Sequence, residues 1–157
     1  MRTEKDKEEY ERQVFDEFIT KSELLIDNSS ITKPARESEP DFYCRMDNED
    51  VAFELVEICD FEIARDISYL IKNNSNSIDV MQGKNPIFKI LKSKFAKNYK
   101  TNFPIDLICY TYGRTLVTDD EIIESIINYL SEHESNFKNI WLLGEKNIWC
   151  SSIYLNY

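Results

Sequence analysis

The sequence predicts an α/β fold, a small central mixed β-sheet flanked by helices. Three observations point there. Some segments repeat apolar residues at helical spacing, others are short β-branched and aromatic runs, and the two kinds alternate along the chain. At 157 residues the chain is long enough for one domain with a substantial core, and no internal repeat or second domain is visible.

The elements follow in the order α-β-β-α-α-β-α-β-β. In the N-terminal helix, placed within residues 1–26, Tyr10, Val14, Phe15, Phe18 and Ile19 recur at helical spacing. Glu8 with Arg12 and Glu17 with Lys21 form i,i+4 pairs. Residues 27–40 are rich in breakers and read as a loop. A motif hairpin over 41–58 places strands near 41–46 and 51–58 around a polar turn, Met46 to Asp50. Residues 61–73 read as a helix closed by a polar loop at 73–77. A lysine-rich helix within 84–100 follows, with Pro86 near its start and Ile87, Leu91 and Phe95 on one face. The stretch 105–112 is strand-like. Thr118 to Glu121 forms a capping box for a helix faced by Ile122, Ile123, Ile126, Ile127 and Leu130. Two strands, 140–143 and 148–155, flank a turn at Gly144 to Asn147 and complete the strand-helix-hairpin unit 105–157.

Composition narrows the function classes. No apolar run reaches the ~20 residues of a membrane span. The charged N-terminus lacks a signal-peptide core, which predicts a cytoplasmic protein without membrane association, or one exported by a route the sequence does not show. The cysteines, Cys44, Cys59, Cys109 and Cys150, form no C-x-x-C pair and read as reduced, buried thiols. With His133 the sole histidine, at a helix tail, the chain lacks the ligand cluster of a zinc site. The net charge of −10 opposes non-specific attraction to phosphates, but it is unevenly spread. Window 84–100 carries six lysines and no acid, leaving −16 for the rest.

The chemistry-bearing residues are carboxylates. Asp41 follows Pro40 at the entry to an apolar strand, and Glu54 is the one charge in Val51 to Val56. A charge in such a run is unusual unless paired or liganded. A hairpin of this length brings the two onto adjacent strands, and convergent carboxylates suit a hard divalent cation. Each also has a plainer reading: Asp41 as a turn residue, and Glu54 as an outward position on a half-exposed strand. The lysine helix reads equally as a solvated face, and Trp141 and Trp149 as core rather than base-stacking residues.

With these residues the chain resembles the PD-(D/E)XK nuclease superfamily, over most of its length. Pro40-Asp41 matches the P-D element, and Glu54-Leu55-Val56 the second element, with Val56 in place of the usual lysine. Glu39-Pro40-Asp41-Phe42 and the helix Ile87 to Tyr99 look like an uncharacterised branch. The resemblance implies a restriction-endonuclease-like core and a Mg2+- (or Mn2+-) dependent nuclease or nuclease-like phosphodiesterase. Asp41 and Glu54 would hold the metal, with the carbonyl of Val56 completing coordination, and Glu11, or Glu8, would hold a metal-bound water. Lys94, or next Lys97, would supply the migrated catalytic cation. Lys89, Lys92, Lys97 and Lys100 would face nucleic acid. The alternative is a non-catalytic binding protein on a degenerate nuclease fold. That protein would be of immunity type, using its acidic surface against a basic partner, or an accessory of a defence or mobile-element system.

Overall fold

The computed structural model describes residues 3–59, 86–113 and 115–152. The expected helix at 61–73 and its closing loop lie outside them. One six-stranded mixed sheet, its strands side by side in chain order, is flanked by helices. The first three strands form an antiparallel meander, the fourth and fifth run parallel to the third, and the sixth returns antiparallel.

Helix α1 spans Glu4–Ser22, capped by Thr3 and Asp6 in a reciprocal box. Its stripe of Glu11, Val14, Phe15 and Phe18, spaced i, i+3, i+4, i+7, is buried. There Phe15 stacks on Phe42 at 4.6 Å and Phe18 meets Trp141 edge-on at 5.1 Å. Strand β1, Ile26–Thr32, corrects the reading of 27–40 as a loop. It is an edge strand whose side chains bond locally: Ser29 donates to Asp27, and Ser30 Oγ accepts from Arg45 N at 2.8 Å. Its pairing with β2 is irregular between Asp27 and Thr32. Polar residues on such an edge carry no strand signature and blunt its pairing with other chains.

Strands β2, Phe42–Met46, and β3, Glu49–Glu57, are joined by Asp47 and Asn48, both at positive φ (52° and 66°). Two such residues make the tight hairpin turn that matches strand twist. Helix α2, Ile87–Ala96, ends three residues short of the expected Tyr99. Lys97 turns extended there (φ −79°, ψ 134°), which sends Tyr99 back toward the sheet. Strand β4, Ile105–Tyr110, is buried at every position, as fits a central strand covered on both faces. Helix α3, Asp119–Glu132, starts at the expected Thr118–Glu121 box. Strands β5, Asn139–Leu143, and β6, Ile148–Cys150, close the sheet, and β6 is shorter than the expected 148–155.

The core has two halves. On one face α1 covers Phe42, Phe53, Leu55 and Ile108. On the other, Ile87 and Leu91 of α2 and Ile122 and Ile126 of α3 cover Ala52, Leu107, Cys109 and Leu142. The four cysteines are free thiols and buried. Among the described residues no helix is long and apolar enough to cross a membrane.

Candidate functional site

The site begins with the register of the hairpin. Phe42 pairs with Phe53, so the position before β2, Asp41, falls opposite Glu54. Strand β3 runs on past β2, and the N–H groups of its odd-numbered residues on that side lose their ladder partner. Asp41 takes one of them: Leu55 N donates to its Oδ2 at 2.8 Å.

Glu54 lies on the α2 face of β3, between Ala52 and Val56, and is only 2 % exposed. A buried carboxylate needs donors, and Glu54 has three groups converging on Oε2. Tyr99 OH donates at 2.6 Å, Lys94 Nζ donates at 3.1 Å, and Lys97 Nζ stands at 3.8 Å. Lys94 reaches it because it follows the buried positions Ile87 and Leu91 on the same stripe of α2. The bonds from Leu55, Tyr99 and Lys94 fall on Asp41 Oδ2 and Glu54 Oε2, and the two carboxyl groups hydrogen-bond to each other.

The pair shares its charge unequally. Burial first, and then Glu54 beside it, push the Asp41 carboxyl up to about 7. Burial opposes the charge of Glu54 too, but its hydrogen bonds with Asp41, Lys94 and Tyr99 and the positive charge of Lys94 outweigh it. They hold Glu54 below the ordinary carboxylate range. Burial and then Glu54 drive the Tyr99 phenol upward, so it stays a donor.

The structure thus brings Asp41, Glu54 and Lys94 together, with Lys97 close by. It places other expected residues elsewhere. Val56 stands opposite Cys109, and its backbone shares the side of Ala52 and Ile58, which donate to Pro104 and Tyr110. The carbonyl on Asp41's side of β3 is therefore that of Leu55. Glu11 lies on the α1 face, with Lys33 Nζ at 2.8 Å from its Oε2 and Lys7 Nζ at 3.9 Å from its Oε1. It reaches Asp41 only as a weak electrostatic influence. Glu8 is exposed on α1. Lys89 and Lys92 are exposed on the side of α2 away from Lys94, and Lys97 and Lys100 lie beyond the helix end. Lys100 N donates to Ser38 O, tying that segment to the loop before Asp41. His133 caps α3 at the surface, its ring stacked on Tyr129. Trp141 packs on Phe18 and donates to Asp106, and Trp149 packs against the α2–α3 half of the core.

Sequence reasoning assigned Tyr99 no role in the site. In the sequence it only closes the lysine-bearing segment Ile87 to Tyr99 that carries the resemblance.

No family model, curated protein or solved structure matches this chain.

Among the described residues no three His, Cys, Asp or Glu side chains group as metal ligands. Two carboxylates are nonetheless enough for Mg2+, which commonly binds through one or two carboxylates with waters and substrate phosphates. Asp41 and Glu54 supply such a pair of carboxylates, with a cation taking the place of the hydrogen bond between them.

Proposed function

We propose that the chain is a Mg2+- or Mn2+-dependent nuclease-like phosphodiesterase acting on nucleic acid, with Asp41 and Glu54 as the metal-holding carboxylates. The observation that carries this reading is the convergence of Asp41, Glu54 and Lys94. The register sets Asp41 against Glu54, and the Lys94 amine of α2 bonds Glu54, as a lysine supplied from a neighbouring helix in place of the one absent at Val56 would. The meander followed by a parallel crossover strand also accords with the restriction-endonuclease-like core implied by the resemblance.

A divalent cation held by the pair would supply Lewis acidity toward a phosphodiester. The chain's own groups do the rest. Leu55 N–H fixes Asp41, and Tyr99 OH fixes Glu54. Lys94 places positive charge beside the carboxylates, where it offsets negative charge gathering on a phosphoryl group. The lysines of 89–100 would meet the polyanion's backbone.

One observation favours a second reading, a non-catalytic binding protein on the same fold. Tyr99 and Lys94 already satisfy Glu54 Oε2, so the cluster is stable as an internal network. A cleavage assay separates the two, using single-stranded DNA, duplex DNA and RNA with Mg2+ or Mn2+, beside Asp41→Ala, Glu54→Ala and Lys94→Ala. The nuclease reading expects cleavage that falls at least about 100-fold in each variant. No cleavage, or equal cleavage in all four proteins, would leave the binding reading.

A further inference from the structure

Just before β4, Phe103 stands 39 % exposed. A lone exposed apolar side chain means little by itself, but three observations set this ring apart. Its backbone is held: Phe103 N donates to Thr101 Oγ1 at 3.2 Å, Thr101 N donates to Tyr99 O, and Lys100 N donates to Ser38 O. Its ring meets that of Tyr43 with centroids 5.3 Å apart and planes at 81°, a contact that covers at most one of its two faces. Its place is beside the carboxylate cluster. Tyr43 packs on the α2 face and pairs with Ala52, while Ala52 N donates to Pro104 O, so both contacts bring Phe103 to β3 at Ala52. Glu54 follows two residues on, on the same face, a step of about 7 Å along the strand.

Cations lead up to the ring along the same segment. Lys97 Nζ stands 3.8 Å from Glu54 Oε2 and 4.9 Å from the centre of the Tyr99 ring, and Lys100 is exposed. Glu39 accepts from Tyr43 OH at 3.3 Å and so fixes that ring from its far end. An open aromatic face next to backbone-binding cations is how single nucleotide strands are held. A base must be unpaired before it can stack on a side chain, which a duplex resists and a single strand does not. A duplex also brings a second phosphate backbone, and the charge of −16 outside residues 84–100 repels it.

We propose that the nucleic acid taken at this face is single-stranded, with one base stacked on Phe103 and the adjoining phosphates met by Lys97 and Lys100. The proposal rests on the reading of the Asp41–Glu54 cluster as a nuclease-like site, and adds to it the strandedness of the ligand and the side chain that selects it.

Fluorescence anisotropy tests this by binding, with Ca2+ as the divalent cation. The probes are labelled oligothymidine and oligouridine, which separate DNA from RNA, the oligothymidine–oligoadenine duplex, and an abasic strand of equal length. The proteins are the unaltered chain, Phe103→Ala, and Tyr112→Ala as a control at another exposed aromatic residue. At least one of the two single strands should bind more tightly than the duplex. Affinity for that strand should fall about tenfold in Phe103→Ala and hold in Tyr112→Ala. Removing the bases should weaken binding to the unaltered chain, and this loss should shrink in Phe103→Ala. No binding of either strand, a duplex bound as tightly, equal losses in the two variants, or a base effect undiminished in Phe103→Ala would overturn the proposal. If Phe103→Ala fails to fold, Phe103→Leu decides, since it keeps apolar bulk against Tyr43 without a ring: it must lower the affinity, and an unchanged affinity overturns the proposal. Cleavage with Mn2+ is read separately. The expected binding pattern without cleavage would uphold the stacking site and overturn the nuclease reading. Duplex bound and cut as well as single strand would uphold that reading and overturn this proposal.

Discussion

At the scale of single residues, the Asp41–Glu54 pair holds two carboxyl groups side by side in a partly desolvated place. Placed so, the Asp41 carboxyl binds its proton more tightly in the folded chain than at its ordinary value near 3.8. The stability this gives is fully present below that value and is lost as pH rises through about 7. Asp41→Asn keeps an oxygen for Leu55 N–H and removes the titration. It should therefore be more stable than the unaltered chain at pH 8, by about 1–2 kcal/mol, with the advantage shrinking toward pH 4. Urea unfolding at the two pH values checks it. Glu54 was legible in the sequence because a lone charge interrupts an apolar run, and Asp41 because the hairpin length fixes its register. The donors of Glu54 were legible only in part. Lys94 follows from the resemblance, which implies a cation supplied by a neighbouring helix, but the role of Tyr99 depends on one backbone turn at Lys97 that no composition signal marks. The side of β3 on which Leu55 rather than Val56 shows its carbonyl follows from ladder parity, and parity is set by strand pairing, not by residue type.

At the scale of elements, the apolar strands and the capped helix α3 were legible because burial and capping leave patterns in residue type. Strand β1 was not, because an edge strand held by Ser29, Ser30 and Asp27 looks like a loop. The same local bonding governs the β5–β6 turn. Asp119, the first residue of α3, accepts from the backbone N–H groups of Glu145, Lys146 and Asn147 at 3.1, 2.9 and 3.0 Å. The carboxylate lies so close over Gly144 that an added Cβ would collide with it. Gly144→Ala must therefore displace Asp119 or the turn. A loss of about 2 kcal/mol is expected, read by thermal unfolding, while an exposed control such as Glu124→Ala changes little.

At the scale of the whole molecule, the sheet is covered on both faces: α1 closes one, and α2 with α3 closes the other, which carries the carboxylate–lysine cluster. Burial across the sheet also shields the thiols. Cys44 and Cys109 are pushed up to about 12, chiefly by burial, so neither forms thiolate at neutral pH. A thiol-specific chromogenic reagent at pH 8 should therefore leave both unreacted in the native protein and react with them on unfolding in guanidinium. The central claim, that Asp41 and Glu54 together hold a divalent cation, is tested most directly by titrating Mn2+ into the purified chain in a calorimeter, beside Asp41→Asn and Glu54→Gln. Saturable binding to the unaltered chain that is lost in both variants is the predicted result. No binding, or binding of equal strength in all three proteins, would contradict it.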